Sequence, residues 1–401
     1  MTIPLESRKQ ATTRLASIDI FRGLTILVMI FVNDLAGVKG LPWWTYHREN
    51  INGMTYVDMV FPTFLFITGM AIPIAVRSRL SKDPSEGRLW LHVLARVVAL
   101  LVLGLVLANA DKADDRLMPI AANWWAFTAL IGAFLFWNDY PRETKNAMLP
   151  RALKAIGLVT MIVMFAIFRR TAEEGKTAWI DTSYWEILGI IGWAYLSACV
   201  LYLPMRGRQW APTLWFVLLL ALNVASNAGV IRWPAQVPVY VWPFGAGDSC
   251  LIVMAGVMIT QIFSDMTGER RLAQKLTLAF SLTCVCLVLG WVLTPLGISK
   301  NNGTPTWCLY SVASSIVIYS ALYWICDLKG ETRWAWFVRP AGSNTLTTYL
   351  IPDLYYFAFA SVALPASLHH GWPGVVKAVV FAFVVLGVAA AATSAKVRLR
   401  L

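Results

Sequence analysis

The run "MTYVDMVFPTFLFITGMAIPIAV" (residues 54–76) decides the fold. It contains one charged residue, Asp58, near its start, and Arg77 and Arg79 follow directly after its end. A helix of about 20 apolar residues is long enough to cross the hydrocarbon core of a bilayer. The run therefore predicts a transmembrane helix that begins beside a carboxylate and ends at a basic surface.

Comparable runs recur along the whole chain. Of its 401 residues, 58% are hydrophobic and only 14% are charged, whereas about a quarter of an ordinary soluble domain is charged. Because every backbone polar group in hydrocarbon needs an internal partner, these runs predict an all-α polytopic integral membrane helix bundle. The predicted transmembrane helices, about 12 in number, lie at residues 18–38, 54–76, 89–109, 118–138, 152–168, 184–204, 210–229, 249–264, 274–294, 306–326, 341–362 and 374–394.

The chain (residues 1–401) is interpreted as a single transmembrane domain. We predict a cytoplasmic N-terminal segment at residues 1–17, the helix bundle at residues 18–394 and a cytoplasmic tail at residues 395–401. The first segment is basic, and no small-residue cleavage site follows a short apolar core, so we expect the first span to be retained.

The basic residues predict the orientation of the bundle. The net charge is +12, and the chain has 34 Lys and Arg residues. With the N-terminus inside, 24 of these 34 residues fall on the cytoplasmic side and 10 on the outer side. This asymmetry follows the positive-inside rule and places both termini in the cytoplasm. The basic charge is thus explained by topology, and no nucleic-acid partner is expected.

The six cysteines lie in or beside apolar runs. No pair has the CxxC spacing, and no cysteine has a metal-ligand spacing with histidine. We interpret them as small buried hydrophobic residues and expect no metal site.

Polar residues concentrate at the predicted outer ends of the first two spans. Asn33 and Asp34 end the first span, Asp58 begins the second, and His47 lies in the loop between them. A histidine beside a carboxylate can act as a general base near neutral pH, and an asparagine amide can bind a carbonyl oxygen. The pattern suits acyl transfer to an amine or hydroxyl, although an outer-loop histidine can also be ordinary surface.

A second set of polar residues lies at the predicted cytoplasmic side. Arg22 follows Asp19 by three residues, so it forms either a structural ion pair or an anion site. Arg339, Ser343 and Asn344 surround a Pro-Gly break at the start of the eleventh span. The free N–H groups of a helix N-terminus suit phosphate.

Three outer residues are candidates for substrate binding. Lys300 and Asn301 lie in a loop dense in turn formers and either bind a hydroxylated or anionic ligand or form a solvated turn. Trp44 either stacks on a sugar ring or anchors the chain at the membrane interface.

Two linked strings carry a resemblance to a known family. "RLASIDIFRGLTILVMIFVND" (residues 14–34) and "YHRENINGMTYVDMVFPTFLFITGMAI" (residues 46–72) resemble the heparan-alpha-glucosaminide N-acetyltransferase family and its bacterial relatives. The resemblance implies transfer of acetyl from cytosolic acetyl-CoA to the amine of a glucosamine-type sugar across a bacterial inner membrane. It also implies a catalytic histidine at His47, an active-site asparagine at Asn33, CoA within the bundle and a homodimer.

The prediction is therefore a membrane acetyltransferase in the lipid bilayer. His47 would be the general base, Asn33 would orient the acyl group, and Asp58 or Asp34 would orient the imidazole. Arg22, Arg339, Ser343 and Asn344 are the candidates for binding acetyl-CoA. The alternative is an amino-sugar transporter without catalysis, since buried polar groups and broken helices occur there too.

Overall fold

The computed structural model describes residues 15–48, 52–141, 148–172, 175–232, 246–264, 271–362 and 364–400. Within these ranges the chain is almost entirely helical. The first seven helices are α1 (Ala16–Leu35), α2 (Val57–Leu80), α3 (Glu86–Ala110), α4 (Ala122–Trp137), α5 (Met148–Ile167), α6 (Glu186–Tyr202) and α7 (Ala211–Asn227). They are followed by α8 (Asp248–Ser264), α9 (Leu272–Val292), α10 (Pro305–Leu322), α11 (Arg339–Ser343), α12 (Thr345–Ala358) and α13 (Gly371–Ser394). A small antiparallel hairpin, β1 (Arg170–Thr171) and β2 (Thr177–Ala178), lies between α5 and α6.

The all-α polytopic membrane class is confirmed. Eight helices of the described ranges are long and apolar enough to cross a membrane, and α4, α7 and α8 are shorter apolar helices. Each of the predicted segments overlaps at least one of the helices above, and the ends differ by a few residues. The eleventh segment is interrupted, because Asn344 leaves the helical region with φ −131° and separates α11 from α12. The orientation in the membrane stays a prediction.

The centre of the bundle is the contact between α2 and α8. A methyl group at Gly69 would collide with the backbone carbonyl of Val253, and one at Gly256 would collide with that of Phe66. Small residues of this kind allow two helices to approach until their backbones touch. Since Val253 and Phe66 are also fully buried, α2 is held in the middle of the protein.

Two further close approaches position the functional groups. Gly23 of α1 lies against the carbonyl of Val338, and Gly342 of α11 lies against the backbone of Asp19. They bring the break between α11 and α12 next to the beginning of α1. Gly104 of α3 similarly meets the backbone at Trp185, directly before α6.

The peripheral helices present apolar surface outward. Only 17% of the residues in the apolar 18-residue stretch of α5, and 22% of those in the corresponding stretch of α9, are buried within the protein. Exposed apolar faces of this extent need a lipid environment. The cysteines are free, and all but the half-buried Cys284 are buried, in agreement with their interpretation as small hydrophobic residues.

Candidate active site

The imidazole of His47 contacts the carboxylate of Asp58. The distance from His47 Nδ1 to Asp58 Oδ1 is 2.7 Å. The Asp58 side chain is 4% exposed and that of His47 is 31% exposed. The carboxylate is therefore enclosed by protein, while part of the imidazole reaches accessible space.

Residues on three sides hold Asp58 in place. Its Oδ2 accepts a hydrogen bond from the backbone N–H of Thr55 at 2.9 Å. Thr55 Oγ1 in turn donates to the backbone carbonyl of Tyr46 at 3.0 Å, which ties the loop to the start of α2. Trp307 of α10 donates from Nε1 to the Asp58 carbonyl at 3.1 Å. The carboxylate thus belongs to a rigid junction of the loop, α2 and α10.

This junction determines which nitrogen of His47 is available for chemistry. An ionised carboxylate only accepts hydrogen bonds, so Nδ1 must carry the proton in the contact with Asp58. Nε2 then keeps its lone pair, and it makes no hydrogen bond within the described residues. A histidine oriented in this way can take a proton from a nucleophile.

Asp34 has different partners. Its Oδ2 lies 3.1 Å from Lys377 Nζ, and its Oδ1 accepts from the Tyr356 hydroxyl at 2.8 Å. Of the two carboxylates that the sequence offered for orienting the imidazole, the structure places only Asp58 against His47. Asp34 instead joins α1 to α12 and α13.

A central cavity of about 410 Å³ lies between α1, α2, α3, α6 and α12. Arg22, Arg96, Arg400 and Ser343 line it. Arg22, Arg400 and Ser343 belong to the end of the bundle where α1 begins and α13 ends, which we call the basic end. The Arg96 guanidinium lies deeper and packs 4.8 Å from the ring centre of Tyr195.

The walls of the central cavity away from the basic end are mostly apolar. They include Phe64 and Ile67 of α2, Leu100 of α3 and Ile187 of α6. Phe64 follows Asp58 by six residues on the same helix, which corresponds to about 9 Å along the axis. The cavity therefore extends from the basic end toward the level of the His47–Asp58 pair.

Asn33 lies on α1 about one turn beyond the cavity-lining Met29, away from the basic end. It follows Met29, which lines the central cavity, by four residues and Arg22 by eleven. These spacings place the three residues on one helix face. The Asn33 side chain is exposed and makes no hydrogen bond in the part of the chain that the structure describes. It is about 6 Å beyond Met29 along the axis.

A family model covers this site. The family described as "Domain of unknown function (DUF5009)" matches residues 14–244, which is more than half of the chain. The chain belongs to the DUF5009 family. The matched range includes helices α1 to α7, and with them the His47–Asp58 pair and most of the helices around the central cavity.

Two curated relatives match a shorter part of this DUF5009 protein. It is 34% identical over 145 residues to a mouse (Mus musculus) protein named heparan-alpha-glucosaminide N-acetyltransferase, covering 34% of this chain and 22% of the mouse protein. It is 34% identical over 118 residues to the human (Homo sapiens) protein of the same name, covering 27% of this chain and 17% of the human protein. The chain thus covers less than a quarter of either relative.

The residues predicted to bind acetyl-CoA divide into two groups in the DUF5009 protein. Arg22 and Ser343 line the central cavity. Asn344 is buried, and its Nδ2 donates to the Val397 carbonyl at 2.9 Å, so it fastens α12 to the chain after α13. Arg339 is exposed at the start of the five-residue α11 and does not line the cavity.

Sequence reasoning missed two of the cavity arginines. Arg96 lies inside the third apolar run, where a charge is expensive and therefore informative. That signal was sufficient to find it. Arg400 lies in the tail and pairs with Asp139 at 2.7 Å; only the packing of the tail brings it to the cavity.

The predicted substrate-binding residues lie on the side of His47. Lys300 is half-buried and close enough for its charge to act on both Asp58 and Glu186. Asn301 is exposed in the turn that follows. Trp44 is half exposed, and its ring centre lies 6.2 Å from that of Tyr56.

Proposed function

We propose that this protein is a membrane acetyltransferase. It would move an acetyl group from cytosolic acetyl-CoA to the amine of a glucosamine-type sugar on the outer side of the membrane. The observation that carries the proposal is the oriented His47–Asp58 pair, which lies beyond the apolar part of a cavity whose other end is basic. The names of the mouse and human relatives, both N-acetyltransferases, support the same class of reaction.

The central cavity supports binding of the acyl donor. Phosphate groups pair well with guanidinium groups, and Arg22, Arg96 and Arg400 offer three of them beside Ser343. The apolar walls suit the uncharged pantetheine arm. The acetyl thioester would then lie toward Asn33 and His47, and the phosphates toward the cytoplasm.

His47 would take a proton from the acceptor amine through Nε2. As the amine nitrogen attacks the thioester carbonyl, the new C–N bond forms and the C–S bond breaks. The proton held by His47 passes to the departing CoA sulfur, so the products are the acetamide and free CoA. Asp58 would stabilise the imidazolium, and the Asn33 amide would donate to the developing oxyanion.

Release of free CoA from acetyl-CoA tests the proposal. Purified protein in detergent is mixed with acetyl-CoA and glucosamine, and the new thiol is measured with a chromogenic disulfide. We expect His47→Ala to lower kcat by about 10²- to 10⁴-fold, the usual contribution of a general base. The matched control is His370→Ala, because His370 is an exposed histidine at the start of α13.

The outcomes separate the reaction from its mechanism. If wild type releases no CoA above background with any amino sugar, the acetyltransferase assignment is wrong. If CoA is released and His47→Ala is as fast as wild type, the assignment stands but His47 is not the base.

The transporter alternative has one structural observation in its favour. A second cavity of about 650 Å³ borders the other end of α12 at Tyr356, near the loop that follows α3. Cavities at two levels of one helix also suit a translocation path. Uptake of labelled glucosamine into proteoliposomes without acetyl-CoA would support that alternative.

A further inference from the structure

One face of α12 connects the two cavities. Tyr349 lines the central cavity and Tyr356 lines the second cavity. Asp353 lies between them, four residues after Tyr349 and three before Tyr356. Residues with these spacings share a helix face. Asp353 is therefore at the level where the two cavities approach each other.

Glu186 faces the same level from α6. Its Oε1 accepts a hydrogen bond from the Tyr349 hydroxyl at 3.0 Å, and its Oε2 accepts from the Leu188 backbone N–H at 3.1 Å. Ile187 and Leu188, the two residues that follow it, line the central cavity. Both side chains, Glu186 and Asp353, are half-buried, and they lie next to residues that line the two cavities.

The backbone at Glu186 adopts a conformation that usually belongs to glycine. Its φ is +56°, in the left-handed region that costs energy for residues with a Cβ. The strain persists because the Tyr349 hydroxyl and the Leu188 N–H fix the carboxylate. The side chain is thereby aimed at α12.

Acidic side chains gather at this level. Asp353 lies close enough to Glu186 and Asp111 for their negative charges to act on it. Lys300 is the cation that acts on Glu186, whereas Lys112 pairs with Asp181 at 2.7 Å. Asp353 itself makes no hydrogen bond and no ion pair within the described part of the chain.

The two carboxylates suit an organic cation. A cationic partner stabilises enclosed carboxylates in their charged form, because they have lost much of their hydration. Among the described residues, no group of three His, Cys, Asp or Glu side chains is arranged to hold a metal ion. A primary ammonium group needs no such arrangement, since its three N–H donors can bind two carboxylates and a tyrosine hydroxyl.

We propose that Glu186 and Asp353 bind the ammonium group of the acceptor, which enters through the second cavity. One of the two carboxylates accepts the first proton from this group, so that the nitrogen is a neutral amine when it attacks the thioester and His47 takes the second proton. The inference rests on the proposed function, because it assigns the acceptor subsite of that reaction. The charge of Lys300 acts on both Glu186 and Asp58, so this subsite lies on the same side of the bundle as the His47–Asp58 pair. The acceptor class is then an amine that is cationic in solution, and neutral hydroxyl compounds bind weakly.

Charge-removing substitutions test the subsite. Glu186→Gln and Asp353→Asn keep the size of each side chain and remove its charge. We expect KM for glucosamine to rise at least tenfold in each variant, with KM for acetyl-CoA unchanged. The matched control is Asp83→Asn, which removes an acidic side chain paired with Arg88 in the loop between α2 and α3; its kinetics should equal those of wild type.

Direct binding separates this inference from the proposed function. Calorimetry without acetyl-CoA compares glucosamine with glucose on wild type and on both variants. Binding of glucosamine that glucose lacks, and that both variants lose, supports the subsite even if no CoA is ever released. If Asp353→Asn releases CoA with an unchanged KM for glucosamine, the subsite is wrong and the enzyme assignment stands. Asp353→Asn alone decides the test if Glu186→Gln fails to fold.

Discussion

Asp58 and Asp34 are two aspartates at the end of the bundle away from the basic end, and the structure gives them different partners. Asp58 contacts the His47 imidazole at 2.7 Å, whereas Asp34 pairs with Lys377 at 3.1 Å. Asparagine at each position removes one negative charge with little change in volume. Asp58→Asn is therefore expected to act on catalysis, and Asp34→Asn on stability.

The expected size of the Asp58→Asn effect follows from its hydrogen bonds. A hydrogen bond to a charged group contributes about 1.5–3 kcal/mol. We assume that this hydrogen bond stabilises the transition state, in which His47 is an imidazolium, and not the ground state. Its loss then lowers kcat by about 10- to 150-fold. KM for acetyl-CoA should not change, because the side chain of Asp58 does not line the central cavity.

The Asp34→Asn effect follows from burial. The Lys377 side chain is 16% exposed and that of Asp34 is 7% exposed. Removal of one partner leaves an enclosed charge uncompensated, which costs about 3–5 kcal/mol. We expect a clearly lower melting temperature in detergent, with kcat of the surviving folded protein within about threefold of wild type, a change of less than 0.7 kcal/mol in the barrier.

The two variants are measured side by side by CoA release and by thermal unfolding monitored with tryptophan fluorescence. The reasoning is refuted if Asp34→Asn lowers kcat as strongly as Asp58→Asn while its melting temperature equals that of wild type. An Asp58→Asn protein with wild-type kcat would equally remove the base-orienting role of that carboxylate.

Three further predictions concern packing, donor binding and acid stability. Gly69→Ala should give little monodisperse protein in size-exclusion chromatography, because the added methyl group meets the α8 backbone; Gly387→Ala, where nothing lies within 4 Å, should behave as wild type. Arg96→Ala should raise KM for acetyl-CoA by about 10-fold or more, the loss of one charge-assisted hydrogen bond, and an unchanged KM would exclude Arg96 from the donor site. Burial raises the pKa of the Asp181 carboxyl, but the hydrogen bonds from Lys112 and Ser183 and the charge of Lys112 together outweigh this, and the pKa falls to about 2. A lowered pKa means that the contact stabilises the fold above the ordinary carboxyl pKa of about 4. Melting temperatures of wild type and Asp181→Asn should therefore differ at pH 7 and converge between pH 4 and about 2; a constant difference would contradict the assignment.

The helices could be predicted because their cause is local. A run such as residues 54–76 must satisfy its backbone hydrogen bonds within itself in lipid, so length and hydropathy suffice to predict a helix. The same locality brings His47 to Asp58, since they are 11 residues apart and a short loop leads directly into α2. The sequence also contained the signal for Arg96, a charge within an apolar run, although the spacing of motifs did not select it.

Contacts between distant helices were decided by packing alone. Asp34 meets Tyr356 across 322 residues, and Tyr349 meets Glu186 across 163 residues. Locality brings His47 near Asp58 but does not exclude Asp34 as its partner, because both aspartates lie at helix ends joined by the same loop. The choice depends on which helix faces touch, and those faces are selected by glycines such as Gly23 and Gly342, where backbones come into direct contact.

The sequence by itself thus determined the membrane class, the positions of the helices and the His47–Asp58 neighbourhood. Each depends on interactions within one run or between adjacent runs. Only the tertiary structure decided that Arg96 and Arg400 share a cavity, that Asn344 fastens α12 to the tail, and that Glu186 accepts a hydrogen bond from Tyr349. In the bilayer the hydrophobic effect does not choose between apolar helix faces, so close packing of small residues determines which polar side chains meet.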